Sequence, residues 1–236
     1  MENEIKFFEE YVNKFDKNNE KVNHKYNHTY RVVGYAKDIA KSLNLDEKEF
    51  NRASVCALFH DLGRFEQVTK YDTYEDSKSI DHGDRSYEIL IENNYNDEIV
   101  QKAVKYHNKK EVPKFDELTD MHCKLVRDAD KVDILIIHGT SVKDNNYKID
   151  DVIINNFKNR ELIDNGYGAS NDFMYVLREL AFFFDVNFKR SMEIILENDL
   201  LNKKLNLIRS DLNKEQVNII EKELKEFIKE RFDIEC

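Results

Sequence analysis

Residues 58–64 read Leu-Phe-His-Asp-Leu-Gly-Arg, and the His60-Asp61 pair at their centre decides how the rest of the chain is read. It sets an imidazole and a carboxylate on consecutive positions within residues 53–65, a stretch otherwise mostly apolar. Buried polar groups are costly unless they are paired or hold a metal, so the pair needs a reason. Two readings stand at this point. One is a capped helix end with the pair facing water; the other is a metal site whose remaining ligands lie elsewhere in the chain.

Working outward, Asp46 has the residue type of an N-cap for a helix running up to the pair. Before it, Tyr30, Val33, Ala36, Ile39, Ala40 and Leu43 form the apolar stripe of a helix predicted to begin near His28. Residues 2–20 suit a first helix, with Ile5, Phe8, Val12 and Phe15 near helical spacing. Beyond the pair, residues 66–81 are polar with scattered aromatics (Tyr71, Tyr74), which predicts an irregular loop of a length that usually serves function. Further helices are predicted from Asp81-His82, over residues 97–108 ending at His107, and from Leu118 onward after a break at Pro113. After Gly139 the chain turns polar and Asn-rich to about residue 159. Helices then return at roughly 172–184, 186–198 and 214–232. The expected fold class is all-α: a bundle over about residues 20–137 with a helical extension over about 150–236, read as one domain spanning 1–236.

Composition narrows the classes. Proline occurs once and glycine six times in 236 residues, too little punctuation for an all-β protein. A formal net charge of −10 argues against a polynucleotide partner, whose phosphates call for clustered cations. Cys56, Cys123 and Cys236 form no spaced pair, the pattern of a reduced, intracellular chain. The first residues lack a signal peptide's basic and then apolar run, and no segment is apolar enough for a bilayer. A cytoplasmic location with no membrane partner is therefore expected, and the oligomeric state is left open.

The polar residues at predicted helix ends form a set. His28 opens one helix, His60-Asp61 closes the next, His82 opens another, His107 closes another, and Asp130 interrupts an apolar face. If those ends converge, four imidazoles and two carboxylates offer a mixed nitrogen and oxygen site suited to iron, manganese, zinc, cobalt or nickel. The two oxygens of one aspartate can bridge two ions.

In that order, His, His-Asp, His, His, Asp, the chain resembles the six-ligand, two-metal branch of the HD-domain superfamily. His28-Thr-Tyr-Arg31-Val is like the family's first histidine motif, and Leu58-Phe-His-Asp-Leu-Gly-Arg64-Phe is like its His-Asp signature. Ser79-Ile-Asp-His82-Gly and Asp128-Ala-Asp130-Lys131-Val-Asp133 are like its later motifs, so the resemblance covers about residues 20–137. It implies an HD-domain helical bundle with one metal held by His28, His60, Asp61 and Asp130. Asp61 would bridge to a second metal held with His82 and His107. The Gly-Tyr-Pro signature of the cyclic-di-GMP phosphodiesterase branch is missing, and Asn165-Gly-Tyr-Gly168 lies too far along to replace it.

The resemblance implies a phosphohydrolase with two divalent ions, manganese or iron foremost and magnesium, nickel, cobalt or zinc as alternatives. Its nucleophile would be a metal-bound hydroxide, with Asp61 central to the chemistry. No Gly-x-Ser-x-Gly elbow or Gly-rich phosphate loop competes with that mechanism. Arg31, Arg64 and Lys131 stand beside ligands and either hold a phosphate or merely balance the acids. The expected partner is a small phosphorylated substrate, a nucleotide by the family's habit. The same ligands would serve a di-iron oxygenase, and a non-catalytic nucleotide sensor is a third alternative. His24, His122 and His138 match no motif and are read as background. Asp128 and Asp133 are read as caps or salt-bridge partners. Asp76 and Asp81 are read as anchors for histidines or as helix caps.

Overall fold

Residues 1–137, 141–164, 166–168 and 171–236 are described in a computed structural model. The chain divides into two compact units, Met1–Asp133 and Ile134–Cys236, and among the described residues both are helical with no strand. The all-α expectation holds.

The first unit contains α1 (Glu2–Val12), α2 (Glu20–Ser42), α3 (Glu47–Phe59), α4 (Leu62–Tyr71), α5 (His82–Glu92) and α6 (Glu98–Tyr106). It also holds most of α7 (Glu117–Ile137), whose last residues begin the second unit. Short polar side chains start several of these helices by accepting backbone N–H groups of the first turn. Asn19 accepts from Lys21 and Val22, Asp46 from Glu49, Asp81 from Asp84, and Asp97 from Ile99 and Val100. Packing then brings α2 against α3 and α4, α3 against α1 and α6, and α5 against α4 and α6. The buried faces carry small and branched residues, among them Val32, Ala36 and Ile39 on α2 and Ala53, Cys56 and Ala57 on α3.

Two expectations change here. The Asn19 cap starts α2 at Glu20, so His28 lies inside a long helix and does not open one. Residues 66–71 continue α4 and are not loop, because Leu62, Phe65 and Val68 recur at helical spacing and are buried, with Gln67 buried among them and Thr69 to Tyr71 exposed. The irregular connection is therefore residues 72–81 with one short turn, Asp76–Lys78. Gly63 is where α4 starts against α5. A Cβ there would meet the His82 carbonyl oxygen at 2.5 Å, and its N–H donates to Ser86 Oγ at 2.8 Å.

The second unit contains α8 (Asp151–Asn159), α9 (Asp172–Ala181), α10 (Lys189–Glu197), α11 (Leu200–Ile208) and α12 (Lys214–Phe232). There α9 packs on α11 and α8 on α12. The sequence pattern missed α8, whose buried Ile153, Ile154 and Phe157 are diluted by exposed polar residues, and it missed α11. Among the described residues no helix is long and apolar enough to cross a membrane.

Candidate metal centre

Within the first unit, five helices aim side chains at one point. His28 comes from the middle of α2, and His60 and His107 are the C-cap residues of α3 and α6. Asp61 joins α3 to α4, His82 is the first residue of α5, and Asp130 lies on α7. His28, His60, Asp61, His82 and His107 are buried, while the Asp130 side chain is 19% exposed and marks the open side.

Asp61 divides the cluster. Its Oδ2 lies 3.4 Å from His28 Nε2 and 3.5 Å from His60 Nε2. Its Oδ1 lies 3.5 Å from His82 Nε2 and 3.6 Å from His107 Nε2. Asp130 Oδ1 joins the first group, 3.1 Å from His28 Nε2 and 3.7 Å from His60 Nε2. All six residues expected from the sequence are thus brought together, His28, His60 and Asp130 on one side and His82 and His107 on the other, with Asp61 shared.

The outer nitrogens decide what the inner ones can do. His60 Nδ1 donates to the Ala57 carbonyl and His107 Nδ1 to the Val104 carbonyl, both at 2.7 Å and both three residues back on the ring's own helix. His28 Nδ1 donates to Asp133 at 2.6 Å and His82 Nδ1 to Asp76 at 2.7 Å. Every one of these partners accepts only, so each Nδ1 carries the hydrogen and each neutral ring turns an Nε2 lone pair inward. The lone pairs face each other in twos, 3.3 Å apart for His28 and His60 and 3.1 Å apart for His82 and His107. Opposed lone pairs at that separation repel unless a proton or a metal cation lies between them. The spacing itself fits a metal, since bonds of about 2.0–2.2 Å place neighbouring ligand atoms about 3.0–3.6 Å apart.

Electrostatics separates the two sides. Burial alone would raise the Asp61 carboxyl, but the Lys25 charge and then the imidazoles packed around it hold it well below the usual carboxylate range. Asp130 is likewise held low against its burial by His28 and His60. Burial and the Lys25 charge act to lower His28, yet hydrogen bonds to Asp130, Asp133 and Asp61 outweigh them and lift it to about 9. Burial and then the Arg64 charge push His82 down to about 3, and burial lowers His107 as well. The His82–His107 side therefore keeps bare lone pairs at neutral pH.

The other expected site residues sit around this centre. Arg31 is committed to Asp133, with Nε at 2.7 Å and Nη2 at 3.0 Å, and so backs His28 through that carboxylate. Arg64 Nη1 donates to Gln67, to the Tyr74 carbonyl and to Asp76, while its Nε lies 3.6 Å from Asp61 Oδ1 and is buried without a hydrogen-bond partner. Lys131 is buried next to Asp130. Asp133 and Asp76 are the salt-bridge partner and the histidine anchor that their residue types allow. The His24 ring lies tilted beside Tyr74, His122 pairs with Glu49, and His138 and Asn165 lie outside the described residues.

Sequence reasoning missed four side chains. Lys25 Nζ is 2.8 Å from Asp61 Oδ2. Gln67 and Asn108 both donate to Asp76, and Asn108 also donates to Asp81, which fixes the His82 anchor. Arg127 was passed over too: it donates to the Tyr106, His107 and Lys109 carbonyls, closing the end of α6 beneath His107. Only the position of Lys25, one turn before His28, carried any signal.

The HD domain family matches residues 26–135, a span that includes all six converging side chains. No curated protein and no solved structure matches the chain. HD domains are generally those of metal-dependent hydrolases, and the buried histidine and aspartate groups found here could hold such an ion. With the motif order, the helical fold and the shared centre in agreement over that span, this chain carries a domain of the HD superfamily.

Proposed function

We propose that this protein is a metal-dependent phosphohydrolase that cleaves a phosphate ester or anhydride of a small substrate, with a nucleotide the expected class. The observation that carries the proposal is the pair of inward lone pairs on His82 and His107, 3.1 Å apart beside one oxygen of Asp61. It is matched across the other oxygen by His28, His60 and Asp130. Such a set asks for two cations, and its nitrogen and oxygen donors suit manganese or iron. Divalent ions held there would supply an acidified water and offset the charge that builds on a phosphoryl group. The chain's own part is orientation: Asp133 and Asp76 fix two rings, backbone carbonyls fix the other two, and Arg64 keeps an N–H donor beside Asp61.

The test joins metal analysis of the purified protein to a turnover screen of nucleotides and phosphate esters with Mn²⁺. Two ions per chain and phosphate release without O₂ uptake are expected. His60→Ala and Asp61→Ala are expected to lose both metal and turnover. An iron-specific activity that consumes O₂ and releases no phosphate would contradict the proposal.

A further inference from the structure

Lys25 and Arg64 place one cation on each oxygen of Asp61. The Lys25 ammonium is 2.8 Å from Oδ2, the oxygen that faces His28 and His60, and its side chain is only 12% exposed. The Arg64 Nε is 3.6 Å from Oδ1. Both cations also lie against one aromatic ring, with Lys25 Nζ 5.5 Å and Arg64 Cζ 6.0 Å from the centroid of Tyr74. That ring is half-buried and held in place, because the Tyr74 hydroxyl donates to the Lys21 carbonyl at 3.0 Å and the Tyr74 carbonyl accepts from Arg64 at 2.5 Å. Tyr74, within the connection of residues 72–81, thus lies against both cations.

Charge decides what Lys25 does there. Asp133 is paired with Arg31 and Asp76 with Arg64, which sets Lys25 against Asp61 itself. An ammonium and a divalent ion on the same carboxylate oxygen repel strongly in a site this dry. A lysine bears three donors on a flexible stem and can swing about its contact, whereas the Arg64 fork is fixed by its own hydrogen bonds. Turned along the Tyr74 ring, the ammonium stays beside the centre and needs an anion to replace Asp61.

We propose that Lys25 is a substrate-binding residue. It pairs with Asp61 in this structure, and displaced from that carboxylate by a cation it pairs with the phosphoryl oxygens of the substrate beside Arg64. This rests on the phosphohydrolase reading and deepens it by naming a group that recognises the anion. Gaining the anion and releasing Asp61 are two faces of one exchange, so metal and phosphate each report on it.

The experiment uses the full chain loaded with Mn²⁺ and inorganic phosphate as the probe, followed by calorimetry. Lys25→Met is expected to weaken phosphate binding about tenfold or more, the size of one charge-assisted hydrogen bond, while Lys25→Arg stays close to the parent. In the metal-free chain, Lys25→Met is expected to bind the first Mn²⁺ several-fold more tightly, because the competing ammonium is gone. Lys25→Gln repeats both measurements should the methionine variant fold poorly. Equal phosphate affinity in parent and variant, or weaker Mn²⁺ binding in the variant, overturns the role of Lys25 alone. A parent chain that loads Mn²⁺ and binds no phosphate overturns the phosphohydrolase reading with it.

Discussion

The two halves of the cluster around Asp61 are built by the same device and behave differently. In each half one ring is anchored by a carboxylate that is itself tied to an arginine: His28 by Asp133 and Arg31, and His82 by Asp76 and Arg64. In each half the other ring ends a helix and is anchored by that helix's own carbonyl, His60 on α3 and His107 on α6. One difference is a ligand side chain. Asp130 reaches His28 and His60 but nothing equivalent is found among the described residues beside His82 and His107. Hydrogen bonds to Asp130, Asp133 and Asp61 lift His28 to about 9 against its burial, while burial and then the Arg64 charge push His82 down to about 3. Anchoring fixes where a lone pair points, and the number of nearby carboxylates fixes how strongly that lone pair holds a cation.

The strongest way to break the comparison is to remove what the halves share. Asp61→Ala takes an oxygen from both, and turnover and both ions are expected to disappear, read by metal analysis and phosphate release. Next in size is removal of one half. His107→Ala is expected to leave a single ion per chain, whereas Asp130→Ala takes one oxygen from the first half and is expected to weaken its hold on Mn²⁺ relative to the second in a titration. Loss of an anchor is milder. Asp133→Asn and Asp76→Asn are each expected to weaken metal binding in their own half by about 10–100-fold, the range typical of such outer contacts. Competition titrations with a chromophoric chelator read that change.

The smallest effect is on pH. His28 carries a proton below about 9 that an incoming ion must displace, so affinity in the first half is expected to rise with pH up to that value. His82, at about 3, has no proton to lose at neutral pH, and the second half is expected to change far less. Calorimetry in buffers of different ionisation enthalpy counts the released proton directly.

The parts of this centre that were legible in the sequence are those set locally. His60-Asp61 stands out because an apolar helix ends on it, and Asp46, Asp81 and Asp97 announce helix starts that the structure keeps. The start of α2 was hidden because Asn19 caps a helix whose first turns show polar residues to solvent. The α4 helix was hidden because Gln67, a buried polar residue held by Asp76, Ser79 and Ile80, sits within its apolar pattern. Lys25 could not be read as a partner of Asp61, since that meeting is made by packing α2 against α4 and no local spacing encodes it. Asp76 and Asp133 lay between these extremes: their residue types allowed anchoring, and only the fold chose which histidine each would hold.

The most direct measurement is electron paramagnetic resonance of the protein titrated with Mn²⁺. Two ions per chain with an exchange-coupled signal, lost in Asp61→Ala, are expected if one carboxylate joins the two halves. A single uncoupled ion at saturation, or a coupled signal that survives Asp61→Ala, would contradict a centre organised around Asp61.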